Sequence, residues 1–125
     1  MIKLLLVDDQ PNVRRGLRMR LLFEPDILVV GEASSGEQAL ELVESLAPDI
    51  VLMDVEMPGM DGIAATAAMR DSSPQSAVVM ISIHDDVHTR ARAQVAGAAA
   101  FVEKSGALEV LLATIRQIGE FTGRT

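Results

Sequence analysis

Short apolar runs alternate along this chain with longer stretches in which apolar residues recur at helical spacing. Five apolar runs are found, at residues 2–7, 27–30, 50–53, 77–81 and 100–102. Each run has the length of a strand that is buried on both faces. Because such strands are joined through helices by right-handed crossovers, the alternation indicates a parallel sheet with helices on both of its faces.

The stretches between the runs carry the start signals and the spacing of helices. Pro11 stands at the first turn of the first helix, where its missing N–H costs nothing. The fourth helix, Val87–Ala96, presents only a thin apolar stripe, which we expect to face the core and which consists of Val87, Ala91 and Val95. Five strands and five helices predict an α/β fold: a flavodoxin-like (βα)5 doubly wound parallel sheet with strand order 2-1-3-4-5.

The composition of the 125 residues excludes several kinds of protein and site. The chain has no cysteine, which rules out disulfides, thiol catalysis and cysteine-ligated metal. The net charge of −7 argues against direct nucleic-acid binding by this domain. The apolar N-terminal run is too short for a signal peptide or a membrane span, so we expect a cytoplasmic protein without membrane contact. We assign residues 1–119 to one domain, and residues 120–125 to a frayed tail or the start of a linker.

Acidic residues stand at the ends of two strands that this fold makes neighbours. Asp8 and Asp9 follow the first strand, and Asp54 follows the third. In such sheets, ligands bind beyond the carboxyl ends of the strands, at the point where the strand order reverses. Three carboxylates there repel one another unless a cation is present, and oxygen ligands without His or Cys suit Mg²⁺. A lone acid pair would favour a solvated patch without chemistry, whereas the third acid favours a metal site.

Two further strand ends carry residues that suit a phosphoryl group on Asp54. Ser82 closes the fourth strand and offers a hydroxyl donor, and Lys104 follows the fifth strand with a compact positive charge. Each of them alone is more often a strand terminator or a surface charge. Their occurrence together with the acids favours a phosphoryl site.

Four longer motifs surround these residues: residues 6–9 (LVDD), 48–62 (PDIVLMDVEMPGMDG), 80–82 (MIS) and 97–104 (GAAAFVEK). These motifs resemble the response-regulator receiver (CheY-like) domain of bacterial two-component systems, and the resemblance covers essentially the whole chain. Residues 29–33 (VVGEA) and 81–86 (ISIHDD) are most similar to receivers of the NarL/FixJ class.

The resemblance implies roles for the acids at the strand ends. Asp54 is the expected phosphoacceptor. Asp9 and Asp54, with the backbone carbonyl of Glu56, are the expected Mg²⁺ ligands, and Asp8 is expected to act mainly through bound water.

The resemblance also implies roles for the residues on the last two strands. Ser82 and Lys104 are expected to bind the phosphoryl oxygens. Phe101 would occupy the aromatic switch position, turning inward when Ser82 moves toward the phosphoryl group. Taken alone, a phenylalanine in a strand is more often an ordinary core residue.

The partners implied by the resemblance are a sensor histidine kinase, which would donate the phosphoryl group, and a second copy of the chain in a homodimer formed on phosphorylation. Members of the NarL/FixJ class usually continue into a helix-turn-helix DNA-binding domain, so the expected output is transcription through such a C-terminal domain. The alternative is a stand-alone receiver that acts by protein–protein contact. In either case we expect a regulator and not an enzyme.

Two other functions fit the residues less well. A haloacid-dehalogenase-type phosphatase, which also forms an aspartyl phosphate, needs an acid two residues after its nucleophile on the first strand, where this chain has Asp8-Asp9-Gln10. A flavodoxin-like flavin protein needs hydroxyls and glycine in that loop, and this chain has no Trp or Tyr to stack on a flavin.

A contact between the side chains of Glu56 and His84 is a further hypothesis. Glu56 stands two residues beyond Asp54, and His84 stands two beyond Ser82. If the two side chains met across the site, they would form a partial lid over the phosphoryl group. The alternative is that both point into solvent.

Overall fold

The computed structural model describes residues 1–122 and contains five strands, each followed by a helix. In chain order these elements are β1 (Ile2–Val7), α1 (Pro11–Leu21), β2 (Ile27–Ala33), α2 (Gly36–Leu46), β3 (Ile50–Asp54), α3 (Gly62–Ser72), β4 (Ala77–Ser82), α4 (Val87–Ala96), β5 (Ala100–Glu103) and α5 (Leu108–Thr122).

The strands form one parallel sheet in the order β2-β1-β3-β4-β5. The predicted fold class and strand order are confirmed. β2 is longer than predicted and runs to Ala33, because its pairing with β1 continues beyond a register shift between Leu4 and Leu5. As an edge strand, β2 can include the partly exposed Glu32, which the apolar pattern did not anticipate.

Alternate residues of the central strands enter two separate cores. Leu5 and Val7 pack under α2, α3 and α4, whereas Leu4 and Leu6 pack under α1 and α5. All four are completely buried. This arrangement explains why the strands are continuous apolar runs, because every position faces one of the two helical layers.

The predicted orientation of α4 is wrong. Val87 and Val95 are 85% and 76% exposed, and the buried residues of this helix are Ala93 and Ala96. Both sets have helical spacing, so the pattern alone could not distinguish them. The alanines face the core because their small side chains let the helix lie close to the sheet.

The last helix runs past residue 119, where we set the end of the domain. α5 continues through Thr122, so residues 120–122, which we assigned to a frayed tail or the start of a linker, are helical. Residues 123–125, the rest of the predicted tail, lie outside the described residues. Arg116 ties α5 to the loop before β2 by donating to Asp26 at 2.8 Å and to Glu24 at 2.6 Å. Within residues 1–122, no helix is long and apolar enough to cross a membrane.

Candidate functional site

Three carboxylates meet at the carboxyl edge of the sheet. Asp8 and Asp9 follow β1, and Asp54 is the last residue of the neighbouring strand β3. An oxygen from each of the three lies within 4.8 Å of the others. Asp8 and Asp54 are buried, at 0% and 2% exposure, and Asp9 is partly exposed. The structure therefore brings together all three acids that the sequence placed at strand ends.

Lys104 supplies the positive charge nearest to these acids. Its backbone N–H donates to the carbonyl of Ser82 at 2.8 Å, which fixes it directly beyond β5. Its Nζ lies 2.9 Å from Asp8 Oδ2 and 3.4 Å from Asp54 Oδ1. Apart from these ion pairs, the two oxygens have no hydrogen-bond partner within residues 1–122. One ammonium cannot neutralise three carboxylates, so the donor set fits an additional hard cation such as Mg²⁺.

The charge state of Asp54 reflects this environment. Burial raises the pKa of Asp54 to about 6, the charge of Asp8 adds to the increase, and Lys104 opposes it. For Lys104, burial lowers the pKa, but its hydrogen bond to Asp8 and the charges of Asp54 and Asp8 outweigh burial and raise the pKa above its ordinary value. The cation–anion cluster is thus maintained in spite of its burial.

The loop after β1 is held by an arginine that the sequence analysis did not identify. Arg14 Nη1 donates to the backbone carbonyl of Asp8 at 2.7 Å, and Arg14 Nε donates to Glu32 at 3.1 Å. The N–H of Gln10 donates to Asp8 Oδ1 at 2.9 Å. One signal in the sequence could have pointed to Arg14. The acid Glu32 follows the apolar residues of β2 and needs a cationic partner, and Arg14 stands in the first turn of the preceding helix, α1.

The Ser82 hydroxyl is hydrogen-bonded to Glu56 and not to Asp8, Asp9 or Asp54. Its hydroxyl donates to the Glu56 carboxylate, whose oxygens lie 2.9 and 3.0 Å from Oγ, and it accepts the N–H of His84 at 3.0 Å. The hypothesis of a Glu56–His84 side-chain pair is wrong, because Glu56 is engaged by Ser82 and His84 is exposed. A buried hydroxyl needs a protein acceptor, whereas an exposed imidazole can be satisfied by water.

Phe101 is partly buried on β5 and packs against the core beneath α4. The guanidinium of Arg90, on α4, lies 4.7 Å from the centre of its ring and also pairs with Asp85. The Phe101 ring is therefore covered by a cation from the adjacent helix. The sequence analysis did not identify Arg90, because its contact with Phe101 depends on how α4 is rotated.

The loop after β3 packs closely against the end of that strand. A Cβ on Gly62 would lie 2.1 Å from the backbone oxygen of Asp54, so only glycine fits at this position. Asp61 accepts the N–H of Ala64 at 2.8 Å and caps α3. Together, these residues fix where β3 ends and therefore where Asp54 stands.

Two cavities flank Glu56. The first, of about 580 Å³, opens between α1 and the loop after β5 and is lined by Asp54, Glu56, Ile83 and Lys104, among others. The second, of about 540 Å³, lies between the loops after β3 and β4, and its lining includes Glu56, His84 and Arg92. The Asp54 carboxylate thus lines the first cavity, and the second offers space beside the site.

Comparison with known proteins adds an independent line of argument. Residues 4–116 match the family model described as the response regulator receiver domain. Response regulator GacA of Pseudomonas aeruginosa is 41% identical over 118 residues, covering 94% of this chain and 55% of GacA. Nitrate/nitrite response regulator protein NarL of Escherichia coli strain K12 is 40% identical over 114 residues, covering 91% of this chain and 53% of NarL. The chain spans about half the length of these curated relatives.

Solved structures share the fold across nearly the whole chain. The crystal structure of a LuxR-family two-component response regulator from Aurantimonas sp. SI85-9A1 has a TM-score of 0.92 and 33% identity, covering 96% of this chain and 86% of that one. The response regulator domain of Thermotoga maritima CheB has a TM-score of 0.88 and 32% identity, covering 96% and 97%. By sequence and by fold, this chain belongs to the family of response regulator receiver domains of two-component systems.

Proposed function

We propose that this receiver domain accepts a phosphoryl group from a sensor histidine kinase on Asp54, with Mg²⁺ bound beside it. The observation that carries the proposal is the setting of Asp54, which is buried next to Asp8 and Lys104 yet lines a cavity open to solvent. A carboxylate that is exposed only toward a cavity holding the positive charges of Lys104 and Arg20 is suited to attack an anionic donor. A surface carboxylate would lack both the positive charge and the fixed orientation.

The residues that would hold Mg²⁺ are Asp9, Asp54 and the backbone carbonyl of Glu56, with Asp8 acting through water. The buried carboxylates of Asp8 and Asp54 support this set, because they share the single ammonium of Lys104, and buried charges are costly unless they are fully compensated. When bound, the ion would neutralise charge on the transferring phosphoryl oxygens.

The proposed transfer is an in-line displacement at phosphorus. A carboxylate oxygen of Asp54 attacks the phosphorus, the bond between phosphorus and the kinase imidazole nitrogen breaks, and that nitrogen takes the electron pair. Lys104, already 3.4 Å from Asp54, would move its charge toward the phosphoryl oxygens. In the return step, water attacks the phosphorus, Asp54 departs as a carboxylate, and inorganic phosphate is released. We therefore class the domain as a regulator rather than an enzyme with independent turnover.

The output proposed for the whole protein is control of transcription through a C-terminal DNA-binding domain. This proposal is supported by the likeness of the chain to response regulators GacA and NarL and to a LuxR-family two-component response regulator. Homodimer formation on phosphorylation is part of the same proposal. A stand-alone receiver acting through protein contacts is the alternative. Gel filtration of the chain before and after phosphorylation tests whether the homodimer forms.

Labelling with a small phosphodonor tests the acceptor. We expect acetyl phosphate and Mg²⁺ to add one phosphoryl group to the wild-type chain, located at Asp54 by peptide mass spectrometry. Asp54→Ala should abolish the added mass. Asp71→Ala, which removes an exposed acid from α3, is the matched control and should be labelled like the wild type. Full labelling of Asp54→Ala would rule out this acceptor.

A further inference from the structure

Without a phosphoryl group on Asp54, the Ser82 hydroxyl already donates its proton in a hydrogen bond to Glu56. Ser82 is completely buried, and its Oγ lies 2.9 and 3.0 Å from the two oxygens of Glu56. The N–H of His84 occupies one acceptor site on the same oxygen at 3.0 Å. A serine hydroxyl has a single proton to donate. While Glu56 accepts it, Ser82 has no donor left for any other group.

A phosphoryl group on Asp54 would need that same proton. Asp54 and Ser82 end adjacent strands, since Asp54 pairs with Ile81 in the sheet, so a phosphoryl oxygen and the Glu56 carboxylate would approach one hydroxyl from the same edge. Both are anions, and two anions that share one donor also repel each other. The Glu56–Ser82 hydrogen bond and a phosphoryl–Ser82 hydrogen bond therefore exclude each other.

The structure offers Glu56 a second position. The 540 Å³ cavity beside the site is lined by Glu56, His84 and Arg92. Arg92 is exposed and makes no ion pair among the residues described, 1–122. An exposed pair with Arg92 would be weak, so the cavity provides room for the displaced carboxylate rather than a driving force.

We propose that Glu56 is a positioning residue that holds the Ser82 hydroxyl and competes with the phosphoryl group for it. Phosphoryl binding must displace Glu56, so the Glu56–Ser82 hydrogen bond favours the resting state and lowers the affinity of the site for phosphoryl groups. This inference rests on the proposed function, because it assumes that the phosphoryl group is carried by Asp54.

Titration with beryllofluoride in the presence of Mg²⁺ measures this competition. Because the chain has no Trp or Tyr, binding is followed by calorimetry and by backbone amide signals, His84 included. We expect Glu56→Ala to bind beryllofluoride about tenfold more tightly than the wild type, which corresponds to losing one competing charged hydrogen bond. Glu56→Gln keeps the shape and should give a smaller gain. Glu103→Gln removes an exposed acid beside Lys104 and should bind like the wild type.

A double-mutant cycle with Ser82→Ala separates competition for the hydroxyl from general repulsion. Without the hydroxyl only the repulsion between the two anions remains, so Glu56→Ala should give a clearly smaller gain in the Ser82→Ala background than in the wild type. An equal gain in both backgrounds, or none in either, would overturn the positioning role. If Glu56→Ala does not fold, the same cycle with Glu56→Gln decides the question. Failure of the wild type to bind beryllofluoride would instead overturn the phosphoacceptor proposal.

Discussion

At the scale of single residues, Asp54 combines a buried position with a pKa raised to about 6. Its ordinary value is 3.8, so the unfolded chain loses this proton at lower pH than the folded chain does. Stability linked to Asp54 is therefore lost as pH rises from about 4 through 6, and the loss is complete above that range. The Asp54 carboxylate is held in an environment that disfavours its charge when no metal ion is bound, in spite of the ammonium of Lys104.

Asp54→Asn should accordingly stabilise the metal-free domain at neutral pH. The free energy of unfolding should rise by about 1–3 kcal/mol at pH 8, because the buried charge is removed, and the gain should shrink toward pH 4. Urea unfolding without Mg²⁺ at both pH values measures this, with Asp71→Asn as the exposed control. Equal pH dependence in the wild type and Asp54→Asn would contradict the raised pKa.

Two glycines make a matched test of the packing around the acceptor. Gly62→Ala should destabilise the domain by about 1–3 kcal/mol or more, because its Cβ would lie 2.1 Å from the backbone oxygen of Asp54. Gly16→Ala, in α1, meets nothing within 4 Å and should stabilise by about 0.5–1 kcal/mol through helix propensity. Chemical denaturation measures both. A tolerated Gly62→Ala would mean that the loop after β3 is not tightly fixed.

At the scale of elements, α4 buries much less apolar side chain than α5 does. Its buried residues are two alanines, Ala93 and Ala96, while its valines face solvent. α5, in contrast, buries Leu111, Leu112 and Ile115. The ends of α4 are well made, with Asp86 as N-cap and Gly97 in the left-handed region at φ 109°. Caps fix where the helix begins and ends, but burial determines how firmly it is held.

Amide exchange should show that α4 is less protected than α5. We expect faster exchange across residues 87–96 than across α5 in the metal-free domain, because little apolar area is lost when α4 opens. Beryllofluoride with Mg²⁺ should slow the exchange in α4. Hydrogen–deuterium exchange mass spectrometry measures this. Equal protection of α4 with and without beryllofluoride would show that α4 does not respond to the phosphoryl mimic.

At the scale of the whole molecule, one edge of an acidic domain collects three carboxylates against one ammonium. The sheet places them there through its strand order, and two cores hold the strands in register. A cation bound to these acids should therefore stabilise the entire domain, because the acids separate and the binding site is lost when the sheet unfolds.

Mg²⁺ should raise the free energy of unfolding by mass action, by about 2.7 kcal/mol at a concentration one hundred times Kd. Asp9→Asn should remove this increase while leaving the metal-free domain as stable as the wild type or more so, since it deletes one of three repelling charges. Thermal unfolding with and without Mg²⁺ measures both. A metal-free Asp9→Asn domain that is clearly less stable would mean that Asp9 supports structure instead.

Periodicity and strand-end chemistry in the sequence were sufficient to determine the sheet and the convergence of Asp8, Asp9 and Asp54. Parallel strands end at a common edge, so residues that follow them must meet there regardless of side-chain detail. The length of β2 escaped prediction, because an edge strand tolerates polar residues that interrupt the apolar pattern. The sequence thus determined the elements, their order and the membership of the acidic cluster.

Only the tertiary structure decided which side chains pair across that edge. Ser82 and Glu56 are 26 residues apart in sequence, and no local pattern distinguishes a Glu56–Ser82 contact from a Glu56–His84 contact. The side of α4 that faces the core, and with it the position of Arg90 over Phe101, was similarly open. The physical reason is the same in each case: hydrogen bonds and ring contacts depend on rotations and distances of a few ångströms, which packing fixes after the order of the elements has been set.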